Sequence, residues 1–261
     1  MSLYANARGG RLPLAFNAFS VVSLLIIIGL PVLSVILFAI FPHFNEGSFR
    51  APFSNLYPQL SDPALIDATF NSIRLATCVT LLSIAVAVVL AYVRNKMSVT
   101  AGRFWDVMLL VPFLIPPYIG SMAWIQMFQF NGVWYRWTGV DFSAFLFSFS
   151  GVVFVMTMHL FPLVYFSASN ALRVIGQRYS DVARVYGAGR LDLACRILLP
   201  LMMPTLLASG LIVFVLSVEE FGTPDILGSR FGFEVMVTAI EEKLTDWPID
   251  LPGASVLSLN L

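Results

Sequence analysis

The chain has 261 residues, 58% of them hydrophobic and 11% charged, with a mean hydropathy of +0.84. A water-soluble domain carries about 45–50% apolar and about 25% charged residues, so this composition excludes one and places the chain in lipid. The formal charge of zero conceals a strong asymmetry between alternate loops.

A spanning helix needs about 20 mostly apolar residues, and five stretches qualify: 14–41, 72–93, 105–128, 150–170 and 201–218. The first follows Arg8 and Arg11 and exceeds the ~7–15 residue core of a signal sequence, so it is expected to remain as a membrane helix. The third contains Pro112, Pro116 and Pro117. Proline inside a helix removes a hydrogen bond and clashes with the preceding turn. In a membrane this is tolerated beside a cavity or neighbouring helices. The third span is therefore either a broken helix flanking a translocation path, with Pro116 and Pro117 on that path, or a structural kink. His159, inside the fourth span, is expected to hydrogen-bond a neighbouring helix rather than bind metal.

Two adjacent carboxylates, Glu219 and Glu220, stand where the fifth span meets the surface. They either contact a passing cation or have a structural place. Beyond them Met236, Ala239, Ile240 and Leu244 give one apolar face, which predicts a short helix lying along that surface. A sixth apolar stretch begins near Pro252 and stops at Leu261. A helix ending inside hydrocarbon leaves backbone groups unpaired, so the chain is expected to be truncated in its sixth helix. The fold class is an all-α polytopic bundle of about six transmembrane helices, five of them complete. The two cysteines, Cys78 and Cys195, have no metal-ligand spacing and are not expected to pair. No catalytic cluster, metal site or cofactor site is visible.

Loop charges set the orientation. Arg8, Arg11, Arg94, Lys96, Arg103, Arg173, Arg178, Arg184, Arg190 and Arg196 fall on one side, against only Asp106, Asp181 and Asp192. The remaining acids fall on the other. The basic side, with the N-terminus, is expected in the cytoplasm.

On that side lies a charged segment, Asp181 to Pro200. Ser180 is placed to cap a helix starting at Asp181, and Val182, Val185 and Tyr186 recur at i, i+3, i+4. Gly187-Ala188-Gly189 would end that helix. A second amphipathic stretch comes next, with Leu191, Ala194, Cys195 and Leu198 on one face. Two small helices joined by a bend exceed what a helix–helix connection needs. An apolar face exposed there suits docking on a soluble partner.

The spacing within this segment resembles the EAA loop of ABC-importer permeases: Glu-Ala-Ala, three residues, Gly, nine residues, then Ile-x-Leu-Pro. Here Asp181, Val182 and Ala183 precede Gly187 by that gap, and Ile197, Leu199 and Pro200 complete the pattern. Asp181 and Val182 depart from it, neither in a way that prevents a helix. Asn71-Ser72-Ile73-Arg74 resembles the start of the core span in such permeases, and Pro116-Pro117-Tyr118 and Glu220-Phe221-Gly222-Thr223-Pro224 are similar to stretches of the iron(III) and polyamine branch of that family.

The resemblance implies a permease core over 71–261, with an EAA-like loop at 178–200 and an N-terminal helix and periplasmic loop over 1–70. It implies that Asp181, Ala183, Gly187, Ile197, Leu199 and Pro200 couple to cytoplasmic ATP-binding subunits. A periplasmic solute-binding protein would deliver the solute. A second permease half (identical, paralogous or fused) would complete the path, all within the bacterial inner membrane. The family's work needs no nucleic acid, and the chain has no phosphate-binding Gly-x-x-x-x-Gly-Lys-Ser/Thr loop of its own. Ferric iron is the cargo favoured by the resemblance; polyamine, thiamine and phosphonate are alternatives. A secondary carrier would need ionisable coupling residues at mid-bilayer, where His159 is the main candidate.

Overall fold

The computed structural model describes residues 14–97, 99–185, 189 and 192–261, and the regular elements among them are all helical. Arg8 and Arg11 lie outside the described residues. The chain separates into two compact units, one of residues up to 62 with 243–260 and the other of 63–242.

In the first unit α1 (Leu14–Leu24) continues through a π turn at Leu25–Gly29 into α2 (Leu30–Ile40). Pro31 lacks the N–H that would bond back to Ile27 and its ring crowds that carbonyl, which is the local reason for the widened turn. Leu25, Ile26, Ile27 and Leu30 are all exposed, as a lipid-facing helix requires. After α3 (Leu56–Leu60), the unit is completed by α12 (Leu251–Asn260), which packs on α2 and α3. Asp250 caps α12: its Oδ1 accepts the Gly253 N–H at 2.8 Å, while Oδ2 accepts Gln59 Nε2 at 3.2 Å. The sixth apolar stretch is thus a ten-residue helix whose Gly253-to-Leu257 run is buried.

The second unit holds the long helices. α4 (Pro63–Lys96) and α9 (Phe149–Val185) are 34 and 37 residues long, and α10 is Leu199–Glu219. Their packing follows rows of every fourth residue. α4 buries Leu75, Val79, Ser83, Ala87 and Ala91; α9 buries Val152, Met156, Leu160, Val164, Ala168 and Leu172. α10 meets them with Met202, Leu206, Gly210, Val213 and Ser217. Lipid is as apolar as leucine, so hydrophobicity cannot drive these helices together. Small residues that admit close approach do. At Gly210 a Cβ would stand 2.9 Å from Ile84 Cδ1, so α10 lies against α4 there.

Between α4 and α9 run α5 (Gly102–Leu114), α6 (Pro117–Phe128), α7 (Val133–Thr138) and α8 (Ser143–Leu146). The expected third span is two helices meeting at 103°. The predicted short surface helix is α11 (Met236–Thr245), with Met236 and Ala239 buried. Its start is fixed by α4: Ser72 Oγ accepts the Met236 N–H at 2.8 Å and Asn71 Nδ2 donates to the Glu234 carbonyl at 3.0 Å. Both cysteines are free.

Two expectations about the charged segment need correction. The fourth span does not stop near residue 170; α9 carries its helix on through Val185, so Ser180 lies inside a helix instead of capping one. Nor do the described residues of the second stretch form a separate helix. Leu193–Leu198 forms a π turn that runs straight into α10. Between residues 171 and 185 the sequence contains no proline and one glycine, Gly176, whose cost of about 1 kcal/mol a packed helix absorbs.

Candidate functional site

The break in the third span is built by its prolines. In an unbroken helix the N–H of residue 116 would bond to the carbonyl of residue 112, but Pro116 has none. Pro116 is extended, with φ −53° and ψ 136°, and Pro117 starts α6. The orphaned Pro112 carbonyl is satisfied from α9, where His159 Nδ1 lies 2.9 Å away. A carbonyl can only accept, so Nδ1 carries the proton. His159 therefore does what the sequence suggested, bonding a neighbouring helix, and its partner is the site of the break.

Beside the break is a cavity of about 370 Å³ lined by Pro112, Pro117, Gly120, Trp124, His159 and Thr223 among others. The stretch after α10 closes against the same place. At Gly222 a Cβ would stand 3.0 Å from the Tyr118 backbone nitrogen, so the residue is glycine because two backbones touch. Ser121 Oγ donates to Thr223 Oγ1 at 2.9 Å, and both residues are buried. Glu220 Oε1 accepts the Thr223 N–H at 2.7 Å, fixing the turn, while its Oε2 is buried without a hydrogen-bond partner. Burial pushes the Glu220 carboxyl up to about 7.

Of the candidate path residues, then, Pro117 and Glu220 fall on one constellation, with Pro116 at the break. Glu219 is the last residue of α10 and is exposed. The two adjacent acids thus have different surroundings, Glu219 exposed and Glu220 held in the turn. Gly222, Thr223 and Ser121 were missed; the Glu-Phe-Gly-Thr-Pro run held two of them in view, but Ser121 gave no signal.

Asp181 and Ala183 fall in the last turns of α9. Gly187 lies outside the described residues, as do Tyr186, Ala188, Arg190 and Leu191. Ile197 is in the π turn, and Leu199 and Pro200 open α10. Leu193 and Leu198 are buried, and Ile197 and Leu199 pack on the same core. The apolar residues of this stretch hold it to its own bundle. Leu199 also lines an apolar cavity of about 270 Å³ with Tyr92, Leu172, Cys195 and Met202.

An acidic recess of about 360 Å³ lies after α10, lined by Asp225, Glu234, Glu241 and Glu242. A hydrogen bond with Glu242, then burial and the Glu242 charge, push the Glu234 carboxyl up to about 7. Burial first, then Glu241, push Asp225 up. A carboxyl raised in the folded state holds its proton where the unfolded chain has lost it. Its contribution to stability is full below the unfolded value near 4.5 and is lost as pH rises through about 7. Glu234→Gln is therefore expected to raise the unfolding temperature in detergent at pH 8 by about 2–4 °C, a partly exposed group giving about 1 kcal/mol. At pH 5 the gain should vanish; an equal gain at both would show that proton sharing is not the cause.

The chain matches the family described as "Binding-protein-dependent transport system inner membrane component" over residues 83–259. It is 27% identical over 204 residues to the molybdenum transport system permease protein ModB of Mycobacterium tuberculosis, covering 78% of this chain and 77% of that one. It is 23% identical to the putative ferric transport system permease protein FbpB 1 of Haemophilus influenzae, covering 94% of this chain and 39% of that one. Among solved structures, a bacterial alginate ABC transporter bound to an alginate-loaded periplasmic protein superposes with a TM-score of 0.71 at 17% identity, covering 94% of this chain and 87% of that one. That likeness shows the fold.

Proposed function

Since this chain belongs to the family of binding-protein-dependent transport system inner membrane components, we propose that it is the permease through which an ATP-driven importer moves a small solute inward, driven through its 178–200 segment. It is a multi-pass transport subunit and not the ATP-hydrolysing one. One observation carries the mechanism. α9 is a single helix from Phe149 to Val185, about 55 Å long at 1.5 Å per residue. A soluble subunit that grips the end carrying Asp181 and Ala183 displaces the whole helix, whereas a jointed loop would absorb the movement. The second anchor, Ile197-Leu198-Leu199-Pro200, fastens the segment's far end to the start of α10. Residues 71–261 act as the permease core, the N-terminus is cytoplasmic, and residues 1–70 supply an additional helix. An ATP-binding subunit, a periplasmic binding protein and a second permease half are the partners this work requires.

Gly187 is the residue between helix and anchor. A left-handed position there would cost a side chain on the order of 1 kcal/mol and misalign the second anchor. Gly187→Val is expected to leave the protein in the membrane while uncoupling ATP hydrolysis from uptake in proteoliposomes. Normal uptake with normal stimulation of ATPase activity by the loaded binding protein would count against the segment as the coupling element.

Ferric iron is the cargo this reading favours, supported by the buried, unpartnered Glu220 Oε2 at the head of the candidate path. A carboxyl at about 7 is drawn to its charged form by an arriving cation. The molybdenum permease favours a second reading, an inorganic oxyanion. Uptake of labelled ferric ion and labelled molybdate, each with its own binding protein, separates the two: iron uptake weakened by Glu220→Gln supports the first, and molybdate uptake indifferent to it supports the second.

A further inference from the structure

At the basic end of the second unit, three helices meet on one carboxylate. Asp106, in the second turn of α5, accepts two bonds from the Arg94 guanidinium of α4: Nε to Oδ1 at 3.1 Å and Nη2 to Oδ2 at 3.0 Å. From α9 the Tyr165 hydroxyl donates to Oδ1 at 2.6 Å, and Arg173 Nη2 lies 3.9 Å from Oδ2. A flanking contact repeats the connection, with Asn95 Nδ2 donating to Ser169 Oγ at 3.1 Å and Arg173 Nε to Asn95 Oδ1 at 3.4 Å. Tyr165, Ser169 and Arg173 are four residues apart, so one face of α9 reads the junction of α4 and α5. Gly102 makes the approach possible. A Cβ there would run into the Arg94 guanidinium, which also bonds the Gly102 carbonyl at 3.2 Å. Two-pronged arginine–carboxylate pairing fixes orientation as well as distance, and Tyr165 is fully buried.

We propose that Asp106 is a positioning residue of energy coupling: it fastens α9, just before the helix reaches the 181–200 segment, to the helix that leads to the break at Pro116. This rests on that segment being the ATPase contact. From Arg173 to Asp181 the helix rises about 12 Å, so a push at the segment reaches the clamp within the first packed turns of α9, where Leu172 and Ala168 enter the core. α5 then moves as one body with α9, and the far end of α5 is where the Pro112 carbonyl and the cavity sit. Without the clamp, α5 follows α9 through the His159–Pro112 bond at its far end, and more ATP is spent for each opening of the path.

The test uses the whole importer, this chain with its ATPase subunits and binding protein, in proteoliposomes. The readout is solute taken up per ATP hydrolysed. Asp106→Asn is expected to lower that ratio at least about fivefold, the lower end of measured coupling between sites, with the ATPase subunits still copurifying. Asp106→Glu, which keeps the charge, recovers most of it. An unchanged ratio in Asp106→Asn overturns the proposal, as does an equal loss in the glutamate variant. Should the asparagine variant fail to assemble, Tyr165→Phe decides, since it removes one donor and leaves the arginine pair; a wild-type ratio there overturns the proposal. Failure of the underlying reading shows separately: in an otherwise unaltered importer, Arg184→Cys would form no crosslink to an ATPase subunit.

Discussion

Alanine at position 151 is expected to destabilise the protein by about 3 kcal/mol, the upper end of what overpacking costs. The unfolding temperature in detergent would fall by about 6–12 °C, at about 2–4 °C per kcal/mol for a chain of this size. Gly151 sits in the first turn of α9, directly after the short helix α8. The chain reverses so tightly there that a Cβ would run into the Leu146 carbonyl oxygen and stand 2.5 Å from that of Phe145. These are backbone atoms, so no rotamer change can relieve the contact. α8 cannot retreat either, because Leu146 is wholly buried. The reversal also holds Phe145 against Phe154, which in turn meets Trp124 at 5.0 Å between ring centroids, and Trp124 lines the cavity beside the helix break. Loss of the turn should therefore loosen the outer wall of the candidate path. A wild-type unfolding temperature in Gly151→Ala would mean that the reversal has room for a methyl group after all.

Hydropathy made the spans legible, and prolines made the break legible, because both are local signals. Which face of each span points inward was not. Leu81 and Val89 on α4 are exposed while Ser83, Ala87 and Ala91 are buried, so in this half of the helix the more apolar residues face outward. There residue size and not hydrophobicity marks the interface, and Ser83, Ala87 and Ala91 at every fourth position would have been the signal to read. The cap at Ser180 misled for a different reason. Ser180-Asp181 is a good helix start only if the chain arrives there in a non-helical conformation, and nothing upstream except Gly176 makes it do so. The Asp106 clamp left a faint trace: Asp106 is one of only three acids on a side holding ten basic residues. A lone carboxylate among arginines is a strong candidate for pairing, but its distance in sequence from Tyr165 put the geometry out of reach. The Glu220–Thr223 turn was visible as a motif and invisible as a contact, since its meaning lies in Tyr118 and Ser121 on another helix.

His159→Phe is expected to cost about 1 kcal/mol, the penalty for leaving one part-buried acceptor without a donor, and to lower uptake by the reconstituted importer. Phenylalanine keeps a ring of similar size beside Phe113, whose centroid is 5.8 Å from the imidazole, so packing changes little and the lost hydrogen bond dominates. That bond supplies the Pro112 carbonyl with a donor at the point where Pro116 can offer none. Water could satisfy that carbonyl only by entering the cavity, which would change the path itself. A second substitution separates the two roles of the break. Pro116→Ala restores an N–H at position 116, so in the His159→Phe background the Pro112 carbonyl regains an intrahelical partner if α5 straightens into α6. The double variant should then recover part of the unfolding temperature and still transport poorly, because the 103° bend that shapes the cavity is reduced, although Pro117 keeps the helix from closing fully. Thermal unfolding and uptake measured on the same four proteins give a double-mutant cycle. If Pro116→Ala instead adds its own destabilisation to that of His159→Phe, the histidine is not standing in for the missing proline N–H. The break would then be held by the Gly222 and Thr223 contacts on its other side.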